Sequence, residues 1–554
     1  MEHVLICLSL IFLLVMSGIL SHALPFLPKP LIQIILGCSI SFIFPSTDVG
    51  FDPKLFMLLF IPPLLFVDSW RFPKREFKFN LKPIIMLAFG LVFFTVLGVG
   101  LLLHWLIPTI PLPAAFAFAA VLSPTDAVAL SAMTSRVHVP RRMMHILEGE
   151  ALLNDASGLV SFKFAVAAML TGAFSFSNAL LSLFIIALGG ALVGILLTLI
   201  FSLILSYLLG KKHSDSTTEN LLLILLPFLA YFFAEKLEVS GILAAVAAGF
   251  FMDKTSFLEH SMASTRLEAR FVWGIINVTL NGIIFLLLGF YLPHSFQLIT
   301  ASGHSLLHYG LIVSLITLTL AALRCFWIAL TIPIDTLLNH NCLKPSNYPR
   351  LAIITVVSAG GVRGSISLAA ILSLPMFMVD GTPFPARDLL ITLVVGVILC
   401  SLILTTVTLP LLLHRIKTSE ENSLDKEEHA ARVAAIQAGI RSVEEKVKEL
   451  CSTLNTHEAE LCLQVSNTIL AELNQSVASS IGDEKVKLAS ILAIEFNKEL
   501  RLAAITGTRK ELRELEHSGK INNTTMMSIM EKIDLRELSI INSYKNFAIK
   551  MDDY

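Results

Sequence analysis

The sequence predicts an all-α polytopic membrane protein with a soluble helical C-terminal tail. Three observations carry that expectation. The 554 residues are 55% hydrophobic and only 15% charged, with a mean hydropathy of +0.76, whereas soluble domains are about half apolar and about a quarter charged. Apolar runs recur from residue 4 to residue 412, many reaching the roughly 18 residues a helix needs to cross the hydrocarbon core. Half of the Lys, Arg, Asp and Glu residues lie after position 414, which divides a membrane domain, 1–414, from a tail, 415–554. In lipid only helices or closed barrels satisfy the backbone, and these runs lack the strict alternation of barrel strands.

Taken in order, the runs place spans at 4–20, 26–45, 55–70, 83–108, 112–133, 146–172, 178–210, 220–235, 239–252, 271–291, 306–334, 350–377 and 388–412. That is about thirteen; because 220–235 and 239–252 are short and nearly fused, twelve or fourteen stays open. The first run has no basic leader and no A-x-A site, so it reads as a retained helix rather than a cleaved signal. Basic residues gather after alternate spans: Arg71, Lys74, Arg75, Lys78 and Lys82; Arg136, Arg141 and Arg142; Lys211 and Lys212; Lys254, Arg266 and Arg270; Lys344 and Arg350; Arg415 and Lys417. Positive charge favours the cytoplasmic side, which puts the N-terminus outside and the tail in the cytoplasm. A formal net charge of −1 gives no basis for a nucleic-acid partner. The seven cysteines are scattered without a CxxC pair, against a zinc site or a disulfide framework.

Ionisable groups inside spans are costly and mark function unless they pair or snorkel. Three places stand out. In 112–133, Ser123-Pro124-Thr125-Asp126 interrupts an apolar run; proline removes a donor and clashes with the preceding turn, so the helix should break there. Broken helices at mid-membrane build ion sites in many transporters; a kink capped by Asp126 is the plainer alternative. In 146–172, Glu150 and Asn154 share a face and Asp155 sits about 100° round, close to half the bilayer depth. Removal from water penalises an ionised carboxylate, and a proton or a metal ion can each relieve the penalty. Such a group holds one or the other, which suffices for exchange if it faces the two sides in turn. In 350–377, Ser358-Ala359-Gly360-Gly361-Val362-Arg363-Gly364-Ser365 is a second candidate break. Arg363 stays charged and needs a carboxylate, for which Glu150 is the preferred partner. Asp68, at the end of 55–70, lines a pathway or marks the interface. Lys163 lies about 12 Å beyond Asp155 along the axis and should snorkel, as should Arg324. Gly190-xxx-Gly194 is a packing motif at most.

These features also bear on other function classes. A channel could use two broken helices and acidic groups, but channels arrange several weak sites in a row, and here one carboxylate dominates. An intramembrane enzyme would need Ser157 or Ser365 as nucleophile; neither lies in a GxSG context, and His104 and His145 fall at helix ends.

On Glu150-Ala-Leu-Leu-Asn154-Asp155, Ser123-Pro-Thr-Asp126 and Gly360-Gly-Val-Arg363-Gly364, the sequence resembles the monovalent cation:proton antiporters of the NhaP and NHE type. Ile61-Pro-Pro-Leu-Leu-Phe66 and Val239-Ser-Gly-Ile-Leu-Ala244 extend the similarity over residues 1–412. The resemblance implies a homodimer with a dimerisation domain and a six-helix core of inverted repeats, whose two unwound helices cross near the ion site. It implies that Asp155 binds the transported cation (sodium, with lithium or potassium as alternatives) and the proton in turn, with Asp126 and the Thr125 carbonyl nearby. Glu150, Asn154 and Arg363 would form a supporting polar bridge. No cofactor beyond the transported ions is implied. Asn154-Asp155 implies electroneutral exchange serving pH and sodium homeostasis in a cell membrane, plasma or inner; electrogenic relatives carry a lysine where 271–291 here has no Lys or Arg. Two positions depart from the pattern: Ala151 replaces a serine found in archaeal-type members, and the acid after the Pro-Pro run is Asp68, with Val67 in the position many members give to glutamate.

In the tail, Val433, Ile436, Ile440, Val443, Val447, Leu450 and Leu454 alternate steps of three and four, a heptad seam that must bury against another helix. Regulation by this tail is a hypothesis that deletion of 420–554 would test through the pH dependence of exchange.

Overall fold

Apolar helices account for the first three quarters of the chain. The structure, a computed structural model, describes residues 2–43, 53–134, 139, 141–172, 176–209, 216–252, 263–301, 305–338, 350–378, 380–413, 421–453, 456–481, 484–518 and parts of 526–540. The chain separates into two compact units, Met1–Thr418 and Ser419–Tyr554.

The first unit comprises α1 (Glu2–Ala23), α2 (Lys29–Ile43), α3 (Pro53–Arg71), a short α4 (Lys74–Phe79), α5 (Leu81–Leu106), α6 (Leu112–Leu122), α7 (Ala127–Thr134), α8 (Arg141–Thr171) and α9 (Phe176–Leu209). It continues with α10 (Ser216–Lys236), α11 (Gly241–Met252), α12 (Ala263–Ala301), α13 (Leu306–Leu338), α14 (Arg350–Ala359), α15 (Ser365–Leu372) and α16 (Arg387–Leu413). Seven of the described helices are long and apolar enough to cross a membrane, within α5, α8, α9, α10, α12, α13 and α16; α1, α2, α6 and α11 carry shorter apolar stretches. Each apolar run read from the sequence is mainly helical in its described part, with non-helical residues at several run ends and inside two of the runs. Several basic residues behind the charge asymmetry (Arg136, Lys211, Lys212, Lys254, Lys344, Arg415 and Lys417) lie outside the described residues.

Two spans are interrupted where the sequence predicts breaks. The first separates α6 from α7 at Ser123–Asp126, and the second separates α14 from α15 at Gly360–Gly364. Each break exposes backbone groups that lipid cannot satisfy, and each supplies partners for the other. Asp126 N–H donates to the Val362 carbonyl at 2.8 Å, while the Arg363 guanidinium donates to the carbonyls of Ser123 at 2.5 Å and Pro124 at 2.8 Å. The α16 hydroxyls complete the second break: Ser401 Oγ accepts from Arg363 N–H, and Thr405 Oγ1 donates to the Ala359 carbonyl.

Close packing fixes the surroundings. Pro124 lies against Gly158 of α8, where a Cβ would stand 2.5 Å from its ring. Gly190 and Gly194 lie against the backbone of Ser240 and Ala244, so the small-residue motif seats α9 on α11. A π-helical turn at Met86–Leu91 lies within α5. There the Met86 carbonyl accepts from Trp327 Nε1 and the Ala88 carbonyl from Ser157 Oγ, which tie α5 to α13 and α8.

The second unit holds α17 (Glu421–Thr453), α18 (Thr456–Ile481) and α19 (Glu484–His517), with α17 packed on α18 and α18 on α19. Val433, Ile436, Ile440, Val443 and Val447 are half-buried between exposed neighbours, Leu450 is exposed, and Leu454 lies outside the described residues.

Candidate functional site

The two breaks and α8 meet at a cavity of about 260 Å3. From α8 it is lined by Glu148, Ala151, Leu152 and Asp155, spaced as one helix stripe. Thr125 and Asp126 contribute from the first break, Gly364 and Ser367 from the second break and α15, Asp68 and Arg71 from α3, and Asn277 and Asn281 from α12. Four carboxylates thus line a space whose described cationic lining is Arg71. Asp155 is 8% exposed, and its carboxylate has no hydrogen-bond or ion-pair partner among the described residues. Asp126, by contrast, accepts the Ala129 N–H at Oδ1, 2.9 Å away. That is an N-cap bond, which satisfies one of the orphan donors of α7.

Behind Asp155, on the other face of α8, lies a buried polar network. Asn154 Nδ2 donates to Thr125 Oγ1 at 2.8 Å and to Glu150 Oε1 at 3.5 Å, and Thr125 Oγ1 donates to the same oxygen at 3.5 Å. Asn154 Oδ1 is buried without a hydrogen-bond partner among the described residues. The expected bridge from Glu150 to Arg363 is not what forms. Arg324 of α13 makes a two-pronged pair with Glu150, through Nη1 to Oε1 and through Nη2 to Oε2 at 2.6 Å, and its Nε donates to the Val357 carbonyl at 3.0 Å. Arg363 instead sits on the carbonyls that end α6, where a cation complements the negative end of a helix. Arg324 therefore does not snorkel. It belongs to the middle turns of a long span, and a guanidinium there needs a carboxylate.

The cavity brings together Asp155, Asp126, Thr125 and Asp68 of the residues picked out from the sequence, while Asn154, Glu150 and Arg363 stand in the supporting layer. Lys163 pairs with Glu235 at 2.9 Å in an exposed setting. His104 Nδ1 contacts the Ile110 carbonyl at 2.8 Å at the end of α5. Sequence reasoning took Arg324 for a snorkelling residue and passed over Glu148 and the α12 pair Asn277 and Asn281. Depth within the span would have found Arg324, and two amides one turn apart in an otherwise apolar run would have found the pair.

Comparison with known proteins identifies the family. Residues 9–415 match the family model for the transmembrane sodium/hydrogen exchangers. A sodium, potassium, lithium and rubidium/H+ antiporter of Bacillus pumilus is 38% identical over 98% of this chain and 79% of its own length. An Escherichia coli protein named as an uncharacterised Na+/H+ exchanger is 37% identical over 95% of this chain and 96% of its own. Among solved structures, the sodium proton antiporter MjNhaP1 of Methanocaldococcus jannaschii superposes with a TM-score of 0.58 at 18% identity, covering 75% of this chain and 99% of that one, a likeness of fold. The chain belongs to the transmembrane sodium/hydrogen exchangers, a family of secondary transporters rather than enzymes.

Proposed function

We propose that the chain exchanges a monovalent cation for a proton by alternating access, with Asp155 as the carboxylate that both ions occupy in turn. Sodium is the first candidate, with lithium and potassium as further substrates; the name of the Bacillus pumilus relative supports that breadth. The observation that carries the reading is a nearly buried Asp155, without a hydrogen-bond partner among the described residues, on the wall of an acidic cavity. Asp126 and Thr125 line the same cavity, and Asn154 stands behind them, donating to Thr125. Glu150 is engaged by Arg324, so it holds the scaffold and leaves Asp155 for ions. Arg363 holds the crossing of the two breaks.

Arg71 and Pro73 at the basic end of α3 line the cavity. The loop charges assign that end to the cytoplasm, which supports an inward-open arrangement with the N-terminus outside and the tail inside. A homodimer in the plasma or inner membrane, of about thirteen crossings per chain, and a role in pH and sodium homeostasis complete the proposal.

The test is reconstitution of the full chain in liposomes under an imposed pH gradient, following internal pH as sodium, lithium or potassium is added. Exchange predicts a cation-dependent collapse of the gradient that Asp155→Asn abolishes. A collapse of unchanged rate in that variant would sink the role given to Asp155.

A further inference from the structure

The acidic cavity has a neutral wall that the reading above leaves unused. Asn277 and Asn281 stand one turn apart on α12, on one face, and both line the cavity. The Asn281 amide has a fixed orientation. Its Nδ2 donates to the Asn277 backbone carbonyl at 3.1 Å and to Asn277 Oδ1 at 2.7 Å. A backbone carbonyl only accepts, so the nitrogen end of the amide must face it. Asn281 Oδ1 is then turned away from this pair, and among the described residues it accepts no hydrogen bond. The residue is only 7% exposed. An amide oxygen without a donor on a cavity wall is left to meet a ligand there, and four carboxylates line the same cavity, with Arg71 as its described cation.

The chemistry of such a space favours an oxygen-seeking cation. An alkali ion that sheds its hydration shell replaces water with carboxylate and carbonyl oxygens. On the α8 stripe, Ala151 offers no side-chain oxygen one turn before Asp155, so part of the shell must come from another wall. The α12 wall is held firmly. Gly289 and Gly37 bring α12 and α2 so close that a Cβ at either would collide with the backbone of the other helix.

We propose that Asn281 Oδ1, held in place by Asn277, is a ligand for the transported alkali cation and sets the preference among cations of different size. The inference rests on the exchange reading above. Larger ions gather more oxygen ligands, and a smaller ion keeps its waters more tightly, as the divalent pair calcium and magnesium illustrates. A neutral oxygen added to the shell therefore favours potassium over lithium.

The test uses the full chain in liposomes, with the apparent KM for lithium, sodium and potassium read from the cation dependence of proton exchange. Asn281→Ala should raise the potassium KM by about three- to tenfold and the lithium KM less, and it should raise KM more than it lowers the maximal rate. Asn281→Ser, which restores an oxygen, should recover part of the potassium preference. Asn277→Ala, which removes one acceptor from the clamp, should shift the ratio in the same direction as Asn281→Ala. An unchanged lithium-to-potassium KM ratio in these variants, or an equal loss for all three cations, overturns the proposal while leaving exchange intact. If Asn281→Ala does not fold, Asn281→Ser and Asn277→Ala decide the matter by the same ratio. Absence of Asp155-dependent exchange in the unsubstituted protein overturns the exchange reading, and this inference with it.

Discussion

Glu150 and Arg324 are each 1% exposed, and their two-pronged pairing joins α8 to α13 just behind the cavity. Two charges in such a setting are held by each other, and losing one strands the other. Removing one partner of a buried pair costs about 3–5 kcal/mol, whereas replacing both by groups of similar shape is often neutral. Arg324→Met and Glu150→Gln should therefore each lower the melting temperature of the detergent-solubilised protein, and the double variant should melt above either one. Additive losses in the double variant would show that each residue acts through separate contacts. At this scale the sequence was legible where chemistry is local. Asp155, Asp126 and Asp68 identify themselves as carboxylates inside apolar runs. The choice between Arg324 and Arg363 as partner of Glu150 was not legible, because it depends on which helix packs behind α8.

Among the elements, the two breaks were the most readable part of the fold, since proline and clustered glycine act on their own backbone. What the sequence did not reveal is how closely the breaks approach each other. A Cβ at Gly364 would collide with the Asp126 side chain, the same side chain that caps α7. The glycine is needed there for room, its φ of −143° being open to any residue. Gly364→Ala should displace Asp126, loosen the start of α7 and lower the rate of cation-dependent exchange at least about tenfold, the consequence of an ångström-scale misplacement at a site of this kind. Gly310 on α13 is a control, because an added methyl there meets nothing within 4 Å, and Gly310→Ala should exchange at the unsubstituted rate. Equal rates for the two variants in the liposome assay would mean that the crossing tolerates more movement than its packing suggests. The α5 π-turn was likewise hidden in the sequence, since its extra residue is justified only by the partners, Trp327 and Ser157, that take its carbonyls.

For the whole molecule, the loop charges predict an orientation, and a further question is how much charge crosses the membrane in each cycle. If Asp155 travels one way with a monovalent cation and returns with a proton, it is neutral on both journeys. A second carboxylate that changed its proton in step would leave one journey charged. Asp126 is placed to be that group, but it is engaged as the cap of α7 in the arrangement described here. The facing wall of α12 presents two amides, and 271–291 contains no lysine or arginine. One-for-one exchange is the prediction, in which case voltage should not move its balance point. The contrast is measurable, because one charge moved through 100 mV is worth about 2.3 kcal/mol. With equal sodium on both sides, an exchanger of two protons per sodium would settle at a gradient of roughly 0.8 of a pH unit, taking 1.36 kcal/mol per unit per proton. The potential should be set with a lipophilic ion, since a potassium gradient would supply a candidate substrate. Internal pH that ignores the imposed voltage at balance fits a single shared carboxylate. A gradient that tracks the voltage at that size would bring a second titrating group into the cycle, with Asp126 the first to substitute.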